Sequence, residues 1–450
     1  MPAGRWRIAT ISAVLLLAVF LLLPGLLADR VEREFRTLTT VASENQAMDL
    51  VVTDYRRGWF GAEARSELHL RLGGETVVVP LSHAIDHGPT LPRLRAARVD
   101  TRPADGELHD FELAAAIGFT GTTRLRLHIP PFAGVPDEAT GVRVDHDGAS
   151  LRLRLGRGQA SYDLEGELPR LVLSEGDDAE LAVEGVRLAS SGQREDDGDA
   201  PFWSGESALT IHRATLDDAT QPGSGSLREA RITASQESRD GQVELAHTAR
   251  FEALELAQLE AGPGDYAIRL GGLDRHAWDA FQERIHAVHD QGLSVEMTEA
   301  LMAQALLETL PEFLAGEPHL ELSRFELETP DGPVSADLGV RMAGPPDDAR
   351  AARLDAQLHR LSGDSRLALP EETLRRFIAF NLMNEARATA GGAVSESRLE
   401  SIVAEMARQQ VRQLRDMGFF EESGDDRLES RLELRDGVLL VNDAEFTRLF

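Results

Sequence analysis

The chain contains no cysteine and no lysine. The first absence removes disulfides, zinc–thiolate centres, cysteine nucleophiles and a lipid-modified N-terminal cysteine, and leaves the compartment open. The second makes all 47 basic residues arginine and takes away the lysine of a phosphate-cradling glycine-rich loop. There is also no Gly-x-Ser-x-Gly nucleophile elbow. Positive charge is scarce: against 76 acidic residues the formal charge is −29, and without Arg5 and Arg7 residues 29–450 carry −31. Such a charge repels phosphate backbones and anionic headgroups, so no nucleic-acid partner is expected.

Long apolar runs are missing too, with one exception. "IATISAVLLLAVFLLLPGLL", Ile8 to Leu27, carries no charge, and at about 1.5 Å per residue it spans a hydrocarbon core of about 30 Å. A cleaved signal peptide has a shorter apolar stretch of about 7–15 residues and small residues before the cut. The best cut here, after Ala28, would place Leu26 where a small side chain is needed. An uncleaved anchor is expected, with everything after residue 28 on one side. Arg5 and Arg7 precede the span and Arg30, Arg33 and Arg36 follow it, so the positive-inside count leaves orientation open.

What is present reads as α+β. At 450 residues the chain exceeds the roughly 250–300 at which single cores stop growing. From about Asp49 to Leu270, "ELHLRL" (67–72), "RLRLHI" (124–129) and "LRLRL" (151–155) alternate apolar with charged residues, the pattern of antiparallel strands with one wet face. Asp-Gly pairs at 105–106, 147–148, 240–241, 331–332 and 436–437 are hairpin signals without a fixed repeat. "SSGQREDDGDAP" and "DDATQPGSGS", between Ser190 and Ser226, read as exposed loops. After Leu273 the period becomes helical, with Trp278, Phe281, Ile285 and Val288 on one stripe. The expected organisation is a stub and anchor at 1–28, a β-rich region at 29–270 and an α+β region at 271–450. The last holds helices at about 274–290, 297–316, 371–388 and 396–417, and hairpins at about 319–342 and 427–442. This predicts a large antiparallel sheet with amphipathic helices packed on it, preceded by one transmembrane helix.

Candidate sites are few. Glu283 and His286 form a Glu-x-x-His pair, but a di-iron bundle needs two such pairs and two more glutamates facing inward, and Glu283 falls opposite the apolar stripe. Glu244 and His247 lie in a predicted strand, where residues three apart point to opposite faces. No metal and no cofactor are expected. In "IDHGP" (85–89) Asp86 and His87 stand side by side before Gly88 and Pro89. They read as an acid–base or metal pair held on a loop, or as a stiff turn in which Asp86 caps local N–H groups and His87 points outward; the residue chemistry of glycine and proline favours the turn.

These segments carry a resemblance. "YRRGWF" (Tyr55 to Phe60, including Arg57 and Gly58), "IDHGP" and "IGFTG" (117–121, with Gly118 and Gly121) follow one another as in the YdgA-like family of bacterial envelope proteins. So do "LDRHAWDAF" (273–281, with Trp278), "LLETLPEFLAGEPHLELSRFELETPDG" (306–332) and the last strand near Asn442. Gly61 and Ala62 stand where that family often has serine. The resemblance implies a single-pass inner-membrane protein with its large C-terminal domain in the periplasm and no assigned activity, which settles the expected orientation. The expectation is therefore a non-enzymatic, membrane-anchored envelope protein. Its sheet would bind a lipid or an envelope protein, or pair with a second copy. The alternative is a periplasmic hydrolase using carboxylates or Asp86 and His87.

Overall fold

A computed structural model describes residue 32 and residues 48–448, apart from 73–74, 89–94, 105–110, 136–140, 177–178, 196–201, 219–223, 257–258, 290–294, 316, 343–359, 391–395, 425 and 436. The span at 8–27, Pro89 and the Asp105-Gly106 pair lie outside these residues. Among the described residues no helix is long and apolar enough to cross a membrane.

Among the described residues, twenty-four strands join into one sheet in which every pairing is antiparallel. β1 (Met48–Arg57), β2 (Gly61–Leu72), β3 (Glu75–His87), β4 (Ala97–Pro103), β5 (Glu112–Ile117) and β6 (Thr123–Ile129) form a meander, each beside the next. β7 (Phe132–Gly134) pairs with β8 (Val142–His146). β8 and β9 (Ala149–Leu155) run head to tail along one edge of β10 (Ser161–Glu175), and β9 also joins β6. The meander goes on through β11 (Ala179–Glu195), β12 (Phe202–Asp218), β13 (Gly225–Arg239) and β14 (Gln242–Phe251). β15 (Ala253–Leu256) continues along β13, β16 (Leu259–Ala261) pairs with it, and β17 (Gly264–Asp274) closes on β14.

Helices α1 (Arg275–His289) and α2 (Val295–Ala315) come next, followed by β18 (His319–Thr329), β19 (Gly332–Met342) and β20 (Leu361–Pro370). Then come α3 (Glu371–Ala390), α4 (Glu396–Asp416), β21 (Glu421–Glu422), β22 (Arg427–Arg435), β23 (Val438–Val441) and β24 (Ala444–Arg448). β17 pairs with β14 on one side and β18 on the other, so the ladder runs unbroken past residue 270.

The period-two sequence pattern makes one face apolar because neighbouring side chains alternate across a strand. Direct cross-strand partners form a row from Leu127 through Leu151, Gly166, Leu188 and Leu209 to Ile232. It continues as Ala249, Tyr266, Phe325, Ala336 and Leu367. One residue over, on the opposite face, stand Arg126, Arg152, Glu165, Ala189, Ala208 and Thr233.

Three clusters cover the apolar face in places. Small side chains, Ala62, Ala64, Ala97 and Ala115, let Ile85, Val99 and Ile117 pack closely in the first. The second joins α1 and α2 to β14 and β17 through Val243, Leu273, Ala277 and Phe313. The third seats α4 and α3 on Val334, Leu369 and Leu428 through Val411, Leu374 and Ile378. Between them Leu127, Leu151, Leu188, Leu209 and Ile232 are only half-buried.

Two local expectations are corrected. Asp240-Gly241, with φ of 54° and 77°, closes the two-residue β13–β14 hairpin, as the primed turn requires. Asp147-Gly148 does not close a hairpin: β8 and β9 pair with β10 and not with each other. Ser190 to Glu195, read as loop, is strand in β11. Pairing with β10 and β12 on both sides supplies the backbone partners and overrides the weak strand preference of glycine and serine.

Candidate functional site

The first three shared segments converge at one end of the sheet. Gly58, Trp59 and Phe60 lie between β1 and β2, Gly88 follows β3, and Gly118 and Gly121 lie between β5 and β6. Backbone hydrogen bonds tie these connections together: His87 N–H donates to Phe60 O at 2.8 Å, Gly88 N–H to Ala96 O at 2.6 Å, and Ala96 N–H to Ile117 O at 2.8 Å. At Gly88 a Cβ would stand 1.8 Å from the Arg95 carbonyl oxygen; only glycine admits that approach. Gly121 turns the β5–β6 link with φ 84°, donating to Gly118 O at 3.0 Å. Arg57 ends β1, and Tyr55, two residues earlier, packs against the first core cluster. Trp59, Phe60 and Phe119 stay exposed at the turn tips.

Asp86 and His87 do not form a pair. They are the last two residues of β3, and adjacent strand residues point to opposite faces. Asp86 is exposed, directly across from Gly61 and Arg98. His87 joins Leu81, His83 and Ile85 on the core face and is 4% exposed. The expectation that His87 points outward is thereby corrected. Strand parity, not turn chemistry, fixes its direction. Burial pushes its imidazole pKa down, with the backbone at Trp59 opposing, Arg57 adding to the fall and Asp86 opposing it. Even so, neither ring nitrogen makes a hydrogen bond of normal geometry.

The same strand carries a constellation that sequence inspection missed. His83 Nε2 lies 2.7 Å from Ser66 Oγ and His83 Nδ1 lies 2.8 Å from Thr101 Oγ1. The order of groups is that of nucleophile, base and orienting residue. Ser66 is 2% exposed and His83 5%, however, and both lie among core side chains. Burial lowers the His83 pKa to about 4, so the ring is neutral at pH 7 and satisfied by two hydroxyls. This is a core polar bridge across β2, β3 and β4. Its sequence signal is faint, because Ser66, His83 and Thr101 become neighbours only through the strand register.

The segment "LDRHAWDAF" builds the start of α1. Asp274 caps the helix, its Oδ1 accepting from Ala277 N–H at 3.0 Å. Arg275 is buried; its Nε donates to both carboxylate oxygens of Asp279 at 3.0 Å, and its guanidinium lies 4.2 Å from the Phe202 ring centroid. Trp278 and Phe281 then meet Phe313 of α2 at 6.4 and 5.7 Å between centroids. Glu283 is exposed, and among the described residues no group of three or more His, Asp or Glu side chains is placed to hold a metal ion.

Trp278 also forms part of the wall of an open cavity of about 550 Å³ over the apolar face of β12, β13, β14 and β17. Tyr162 and Trp203 stand at its other side with rings 5.2 Å apart. Gly192 makes room for this pair, since a Cβ there would come within 2.5 Å of the Tyr162 ring. The glycine and serines of "SSGQRE" are thus small residues under a large one, a signal hidden by their loop-like composition.

No curated protein matches the chain. Residues 6–448 match the profile of a family described as "Bacterial protein of unknown function (DUF945)". The chain belongs to this bacterial family of unknown function.

Proposed function

We propose that the chain is a non-enzymatic envelope protein, anchored in the bacterial inner membrane by residues 8–27 with its sheet on the periplasmic side. On this reading it binds a lipid or an apolar part of an envelope protein through the apolar sheet face. The ordered segments also make a YdgA-like relationship the finer reading within the family. The observation that carries the binding role is the row Leu127, Leu151, Leu188, Leu209 and Ile232, joined through Gly166 in cross-strand register and only half-buried. A contiguous row of large aliphatic side chains left part-open is the kind of surface that marks an interaction site. The hydrolase reading loses its named pair, because Asp86 and His87 face apart.

Native mass spectrometry of the full-length protein, released gently from its envelope, tests this. Co-purifying phospholipid or lipopolysaccharide fragments support lipid binding, and a second defined polypeptide supports a protein partner. A bare single chain contradicts both.

A further inference from the structure

The cavity beside α1 is walled on two sides. Its floor is the apolar face of β12 to β17, with Leu245, Ile268 and Leu270. Trp278 and Gln282 of α1 rise on one side, and Tyr162 and Trp203 on the other. At about 550 Å³ it lies within the roughly 300–1,000 Å³ of small-molecule sites.

Several polar groups near this floor are engaged with one another. Tyr162 Oη lies 3.2 Å from Ser190 Oγ, which lies 2.7 Å from Ser207 Oγ. Gln236 Nε2 donates to the Trp203 carbonyl, and His247 Nδ1 lies 3.0 Å from Tyr266 Oη beneath a stacked ring. A polar ligand would compete with these bonds. A peptide strand fares no better: its N–H and C=O groups need partners, and every floor strand is already paired on both sides. An unbranched hydrocarbon chain makes neither demand.

We infer that this cavity takes one acyl chain of a lipid, laid across β12 to β17 beneath Trp278, with the headgroup outside. This rests on the reading that the apolar face is the binding surface, and names the ligand class and the place.

The test uses full-length protein in phosphatidylcholine nanodiscs and palmitic acid bearing a mid-chain diazirine. After irradiation and digestion, adducts are expected on peptides containing Trp203 to Ser207 and Trp278 to Gln282. Ala234 is an exposed floor residue, so Ala234→Trp fills the cavity from below. It should cut those adducts at least tenfold with thermal unfolding unchanged. Gln282→Glu, which places a carboxylate at the wall without touching the sheet, should lower them in the same direction. Adducts spread along the whole apolar face and indifferent to both variants would overturn the cavity while leaving the broader reading intact. Adducts confined to residues 8–27 would overturn both.

Discussion

At the scale of single residues, two buried histidines on one strand make opposite predictions. His83 is bonded to Ser66 and Thr101, so His83→Leu leaves two buried hydroxyls without their partner. The expected cost is about 2–3 kcal/mol, read as a shift in the urea midpoint. His87 has no hydrogen bond of normal geometry to lose. His87→Leu is therefore expected to leave stability within about 1 kcal/mol of the parent, or to raise it. Asp86→Asn, on the exposed face, should change stability by less than about 0.5 kcal/mol. A loss of several kcal/mol from Asp86→Asn would contradict the divergent placement of the pair.

Acid should act through the same histidines. The native His83 pKa of about 4 lies below its ordinary 6.5, so as pH falls the unfolded chain takes up the proton first. Stability is intact above 6.5, declines between 6.5 and about 4, and levels off below, with a total loss of roughly 3 kcal/mol. The lowered His87 pKa adds to the loss in the same direction. Urea unfolding at stepped pH should show this slope, and His83→Gln should flatten it in part. An unchanged slope in that variant would sink the assignment.

Among the elements, α1 is built from its first residues. Removing the cap with Asp274→Ala should cost about 1 kcal/mol, and Phe313→Ala, which opens the α1–α2 contact with Trp278 and Phe281, about 3–5 kcal/mol. Hydrogen exchange should place the loosening from Phe313→Ala in α1 and α2 first; uniform loosening of the sheet would contradict the contact. Helical spacing made this region readable from Trp278, Phe281, Ile285 and Val288. The strands "RLRLHI" and "LRLRL" were readable for the parallel reason that period-two alternation survives wherever one face is wet. Ser190 to Glu195 was not, because its strand character comes from neighbours on both sides. Asp147-Gly148 was misleading because turn chemistry says where a chain bends, and not whether the flanking strands pair with each other or with a third. The apolar face was legible, whereas the cavity on it was not: Tyr162, Trp203 and Trp278 are brought together by strand register and by α1 following β17 directly.

For the molecule as a whole, the helices pack on the large antiparallel sheet at the second and third clusters. Clusters around Ile85, Val243 and Leu428 anchor the two ends and the middle. The stretch from β6 to β13 is left half-open. On the proposed reading, this stretch is where the protein binds its partner. Leu209 lies on the apolar face between Leu188 and Ile232, and Thr210 beside it lies on the opposite face between Arg187 and Arg231.

The decisive measurement is native mass spectrometry of the parent, Leu209→Asp and Thr210→Asp, purified identically, with thermal unfolding recorded for each. Loss of the co-purifying mass in Leu209→Asp, and its retention in Thr210→Asp, is the predicted result. Equal retention in two folded variants would contradict the account.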